Sequence, residues 1–336
     1  MRVSLKAISL AFGALAFSNA SQAAIQIVAS IKPVELIVRA VATDDMQSTT
    51  LVPPGSSPHT YSMKPSERRA LEEAEVIFWV GPEMETFLSR LVSGKEFRHR
   101  AVALMVPDQT ITEDDGHGHD DHDNTHREHA DHAGDDDHGH DAPAHDDGHN
   151  HGDGEDPHIW LDPELAIEMA RTIHQTLSAL EGVDTRALDS NLARFTDSVR
   201  EMDGTIRRQL APAHEISLFA YHNAFNRFAG HYDLQLDGVL TLNPELSPGA
   251  RHIAGVQDKL RKANHPCLLT EPQFNRQWWR SITQGLNVTF STWDPLATDV
   301  AVSADGYNQF QQRIVDAVLK CLPENTQHQG NGGNRQ

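Results

Sequence analysis

Short apolar runs rich in β-branched residues recur along the chain at 25–31, 48–53, 76–80 and 101–106, with polar, helix-like stretches such as 65–74 between them. The pattern resumes after residue 214, with runs at 216–220, 236–242, 267–270 and 288–292. Continuous apolar strands alternating with helices predict parallel sheets covered on both faces, here two α/β lobes of about four strands each. Between the two series, Leu188, Leu192, Phe195, Val199, Met202, Ile206 and Leu210 lie three or four residues apart, one stripe of a long helix. At 1.5 Å per residue a helix over 186–211 spans nearly 40 Å, enough to reach from one lobe to the other. The expected architecture is two Rossmann-like lobes with parallel sheets joined by one long helix, divided as 24–185, 186–211 and 212–336.

Two segments fall outside this pattern. Residues 1–23 carry a cationic start, an apolar run from Ala7 to Phe17 and a small-residue exit at Ser21-Gln22-Ala23. That is the form of a secretory signal peptide, too short to span a bilayer. No cysteine follows it to take a lipid, so a soluble periplasmic protein is expected. Residues 113–156 contain no Leu, Ile, Val, Phe or Met. They cannot bury enough apolar surface to offset the entropy of ordering, and read as a disordered loop.

That insert also changes the meaning of the charge. The formal net charge is −20, but 113–156 holds 17 of the 48 acidic residues against the single cation Arg127. Without the insert the chain is close to neutral and offers no cationic surface for phosphates, which argues against nucleic-acid and membrane-surface binding. The only cysteines, Cys267 and Cys321, are expected to pair in an oxidising compartment. Closing that loop stabilises by about 3–4 kcal/mol in the chain-entropy model.

Eleven of the 21 histidines lie in the insert, among them His117, His119, His122, His126, His129, His132, His138 and His140. His117-x-His119-x-Asp121-His122 has the spacing of a metallo-hydrolase motif, but a segment this rich in His and Asp produces it readily by chance. Dense imidazoles and carboxylates instead suit weak, multivalent zinc capture. Outside the insert, position relative to strand ends sorts the histidines, because ligands of parallel α/β sheets bind beyond the strands' carboxyl ends. His59 follows the 48–53 run, His222 follows 216–220, and His158 lies just after the insert. Together they are expected to meet in the cleft between the lobes. Asp294 and Glu271 fall at equivalent strand ends, as ligands, helix caps or supports of a ligand.

The ordered set of motifs Pro54-Gly55-Ser56-Ser57-Pro58-His59-Thr60-Tyr61, Trp79-Val80-Gly81-Pro82-Glu83-Met84-Glu85, the His-rich insert, His158-Ile159-Trp160-Leu161, Tyr221-His222-Asn223-Ala224-Phe225, Glu271-Pro272-Gln273-Phe274 and Asp294-Pro295-Leu296 resembles the periplasmic zinc-binding proteins of ABC importers. The resemblance, to the ZnuA type within the group whose lobes are joined by a rigid helix, covers essentially the whole mature chain. It implies zinc held by His59, His158 and His222, and a cognate inner-membrane permease with its cytoplasmic ATPase. Some members carry Glu immediately before the first ligand histidine, where this chain has Pro58. The fourth position therefore falls to Asp294 or to water, with Glu271 as a support or an alternative.

Three imidazoles and one oxygen suit Zn²⁺ independently of the family, whereas manganese favours more carboxylates. The expected function is zinc capture by a monomeric, non-enzymatic receptor that passes the ion to its transporter. Two other readings compete: a zinc hydrolase with a three-histidine site and an activated water, for which Glu271 is the candidate base, and a His-rich storage protein.

Overall fold

The computed structural model describes residues 24–105, 155–241, 248–274 and 276–323. The expected signal peptide and almost all of the acidic insert, with its eleven histidines, lie outside the described residues. In the first lobe, strands β1 (Ile25–Ala29), β2 (Met46–Thr50), β3 (Val76–Trp79) and β4 (Ala101–Ala103) form a parallel sheet in the order β2-β1-β3-β4. Helices α1 (Lys32–Val41), α2 (Pro65–Glu73) and α3 (Thr86–Val92) connect them. In the second lobe, β5 (Leu218–His222), β6 (Leu236–Thr241), β7 (Cys267–Thr270) and β8 (Thr289–Thr292) repeat the arrangement in the order β6-β5-β7-β8. Helices α6 (Phe225–His231), α7 (Ala250–Lys262) and α8 (Arg276–Ile282) connect these. β3, β5 and β7 are buried throughout in the sheet interiors, as is the second half of β1, and their apolar runs follow from being covered on both faces.

After the insert come a single 3₁₀ turn at Ile159–Leu161 and helix α4 (Pro163–Ser178), which the Asp162 side chain caps by accepting from the Glu164 and Leu165 amides. The long helix α5 (Thr185–Leu210) has 26 residues and is capped the same way by Asp184. Six of its seven stripe residues are buried, and Leu192 packs partly covered against the same core. No helix among the described residues is long and apolar enough to cross a membrane.

The last helix, α9 (Gly306–Leu319), does more than the division at residue 212 implied. It packs against α1 and α5 as well as β8, so the end of the chain braces the first lobe too. A Cβ at Gly306 would lie 2.7 Å from Leu36 Cδ2 and 2.9 Å from the Ala301 carbonyl, so this approach to α1 needs a glycine. At the other end of α9, Cys321 is bonded to Cys267 at the start of β7, with Cα atoms 5.6 Å apart. The pair closes a loop across 54 positions. Cys267→Ala with Cys321→Ala is expected to lower unfolding free energy by about 3–4 kcal/mol in denaturant titrations.

Candidate metal centre

The three histidines singled out from the sequence come together. His59 sits on the loop that leaves β2, which Leu51 and Val52 tie to β1 through bonds to the Ala29 and Ser30 carbonyls at 2.8 and 2.9 Å. Gly55, at φ 79°, lets that loop turn back toward the second lobe. His158 precedes the 3₁₀ turn, and His222 is the last residue of β5 rather than a residue beyond it, paired with Thr241 of β6. Ring centroids are 5.5 Å apart for His59 and His158, 6.1 Å for His59 and His222, and 5.3 Å for His158 and His222. One ring nitrogen from each lies within 4.8 Å of the other two.

Two of the rings are oriented by carboxylates. His222 Nδ1 donates to Glu271 Oε1 at 2.7 Å, and His158 Nδ1 donates to Asp156 Oδ1 at the same distance. Each bond fixes the tautomer and leaves Nε2 with its lone pair free, the arrangement that supports imidazole as a metal ligand. His222 Nε2 is buried and has no hydrogen-bond partner among the described residues, an uncompensated cost unless a ligand takes the lone pair. Burial, followed by the charges of the other two rings, pulls the His59 pKa down to about 3. Burial is also the main cause of the lowered pKa of His158, against the opposing pull of Asp156. Both rings are therefore neutral and ready to coordinate at neutral pH.

Around these nitrogens, Pro58, Trp160, Phe274, Pro295 and Leu296 form an apolar wall, with Ser57, Glu271 and Gln273 the other polar groups beside it. The cavity volume is about 20 Å³. That is room for one ion or water, far below the several hundred Å³ of a pocket for an organic ligand.

Asp294 and Glu271, the carboxylates expected near the fourth position, both hold partners in this structure. Asp294 does not join the group: Oδ1 accepts from Gln273 Nε2 at 2.6 Å and the Leu296 amide at 3.0 Å, and Oδ2 accepts from the Thr298 amide at 2.7 Å. It caps the turn after β8, the role its place before a proline permits. Glu271 lines the same cavity, and its Oε1 accepts from His222 Nδ1. Asp156, assigned by composition to the disordered insert, is well placed, and its bond to His158 was missed. The signal for it was Asp-Pro-His, a carboxylate two residues before a ligand candidate on backbone that Pro157 stiffens.

A profile of the family described as zinc-uptake complex component A, periplasmic (ZnuA), matches residues 27–321. The chain belongs to the ZnuA family. The high-affinity zinc uptake system protein ZnuA of Yersinia pestis is 32% identical over 329 residues, covering 95% of this chain and 98% of its own. Its namesake from Brucella abortus (strain 2308) is 30% identical over 321 residues, covering 89% and 92%. Among solved structures, a ZnuA crystal structure superposes with a TM-score of 0.65 at 23% identity, covering 88% of this chain and 99% of that one. The periplasmic zinc binding protein TroA from Treponema pallidum superposes with a TM-score of 0.64 at 17% identity, with the same coverage. These likenesses show the fold of two parallel-sheet lobes joined by a long helix to be shared by ZnuA and TroA.

Beside the centre, His231 at the end of α6 bridges to both neighbouring elements. Nδ1 lies 3.1 Å from Asp162 at the start of α4, and Nε2 lies 2.7 Å from Asp203 on α5. Burial alone would lower this pKa, but the bonds and charges of the two carboxylates outweigh it, and the net shift is upward. A raised folded-state pKa gives stability that is fully present below the unfolded value near 6.5 and is lost as pH rises through the folded value. The stability gap between wild type and His231→Gln, measured by urea unfolding, is accordingly expected to be widest below about pH 6.5 and to narrow at alkaline pH.

Proposed function

We propose that this chain captures one zinc ion between its lobes in the periplasm and delivers it to an ABC permease driven by a cytoplasmic ATPase, acting as a monomer after signal-peptide removal. His59, His158 and His222 hold the ion, and the fourth position belongs to water. The observation that carries this reading is the convergence of three imidazoles on a cavity of about 20 Å³ into which a buried nitrogen without a hydrogen-bond partner among the described residues opens. Zn–N distances of about 2.0–2.1 Å require only a small inward movement of rings already this close. Membership of the ZnuA family supports zinc as the cargo, and the relatives named above are high-affinity zinc uptake proteins.

The same geometry favours carriage over catalysis. Glu271, the candidate general base, has Oε1 engaged by His222, and the cavity has no room for a substrate beside an ion. The histidines and acids of the insert add weak zinc sites that concentrate the ion near the cleft.

Calorimetric zinc titration of the mature chain and of a variant lacking 113–154 tests both parts. The deletion stops at 154 because Asp156 orients His158. One tight equivalent is expected to survive while the weak stoichiometry disappears. Loss of the tight site in the shortened chain would reject the assignment to His59, His158 and His222.

A further inference from the structure

The two oriented imidazoles are supported differently. Glu271 belongs to the same lobe as the ring it holds, whereas Asp156 is gripped from across the cleft by Arg227 of α6. Arg227 Nε donates to the Asp156 backbone carbonyl at 3.0 Å, and a terminal nitrogen donates to the same carbonyl and, at 2.9 Å, to Glu155 Oε1. Nε also lies 3.8 Å from Asp156 Oδ2, which is buried and has no hydrogen-bond partner among the described residues. The other oxygen, Oδ1, accepts from both the amide and Nδ1 of His158, at 3.1 and 2.7 Å. One guanidinium from the second lobe therefore fixes the backbone at 155–156 and, through a single carboxylate, the ring of a first-lobe ligand. Arg227 lies five residues past His222, so the segment that presents one imidazole also reaches over to hold another.

We propose that Arg227 is a positioning residue for metal capture: it holds Asp156, and through it His158, in the ligating orientation before the ion arrives. The inference rests on the zinc reading of the three histidines. A planar fork suits this task, because it engages a carbonyl and a carboxylate together with little loss of freedom for each bond. Without it, the 155–158 backbone is restrained from the first lobe alone, and the capture-competent arrangement becomes a fraction of the population. Apparent affinity then falls by that fraction. The loss appears in association, because the loaded site retains its three nitrogens.

Stopped-flow zinc exchange against a fluorescent chelator, on the full mature chain, separates the two rates. Arg227→Ala is expected to slow association about tenfold and leave dissociation within about twofold of wild type. Arg227→Gln, which keeps donors for the carbonyl but loses the charge and reach, is expected to fall between. Glu155→Gln, which removes only the outer ion pair, is expected to match wild type. Thermal melting checks that each variant folds, and if the alanine variant does not, the glutamine variant carries the test. Association at the wild-type rate in a folded Arg227 variant overturns the proposal, as does a loss confined to faster dissociation. A parallel His158→Ala arm guards the underlying reading. If that variant binds zinc as wild type does, the zinc assignment fails; if it loses binding while the Arg227 variants associate normally, only the positioning role fails.

Discussion

His222→Ala is expected to weaken zinc binding by at least about 100-fold in chelator competition. Structural zinc sites gain about 10–16 kcal/mol from four ligands, so each contributes roughly 3 kcal/mol, or two orders of magnitude in dissociation constant. The variant carries a second defect. His222 and Glu271 are 3% and 2% exposed, and truncating the ring strands a buried carboxylate without its donor. That adds a penalty of about 1–3 kcal/mol to folding. The double variant with Glu271→Ala is therefore expected to recover part of the lost melting temperature and none of the lost affinity. An affinity within threefold of wild type for His222→Ala would remove it from the ligand set.

Trp160→Ala is expected to cost about 4 kcal/mol of unfolding free energy, the usual toll of deleting a fully buried indole, and to lower the melting temperature by roughly 10 °C. The residue is fully buried, and its indole nitrogen donates to the Pro295 carbonyl at 2.8 Å, a bond from the first lobe to the second. Its own carbonyl accepts from Tyr307 Oη at 3.0 Å and Gln311 Nε2 at 3.3 Å, both on α9. The ring lies 5.3 Å from that of His158, so the void opens beside the metal centre. Zinc affinity is expected to fall together with stability in calorimetry and thermal melting. A variant with wild-type affinity would show that the lobes align without this contact.

Much of this arrangement was legible in the amino-acid order. The apolar runs at 76–80 and 267–270 match β3 and β7 because both strands are buried on two faces, and the seven-residue stripe of α5 is a periodicity that burial makes hard to mistake. Strand ends pointed to His59 and His222, since parallel sheets gather such positions in one place, whereas His158 was marked only by its place after the insert and by the family resemblance. The carboxylates were less legible. Asp294 and Glu271 occupy similar positions after β8 and β7, yet one caps a turn and the other holds a ring. Gln273 and the amides of 296 and 298 decide the difference, and local spacing does not show which donors will reach an oxygen. Asp156 was hidden by composition, because it closes a stretch of like residues whose character says nothing of the last one. The reach of Arg227 across the lobes depends on tertiary geometry that no short motif records.

The contact between α1 and α9 joins the beginning of the folded chain to its end. A ribosome releases the 32–41 segment hundreds of residues before the 306–319 segment, so the seam joining them closes only after synthesis is nearly finished. Until then the first helix lacks one of its coverings. A polypeptide built in this way stays incompletely sealed while it is being made, and cutting away its final helix would reopen the seam at the opposite end of the sequence.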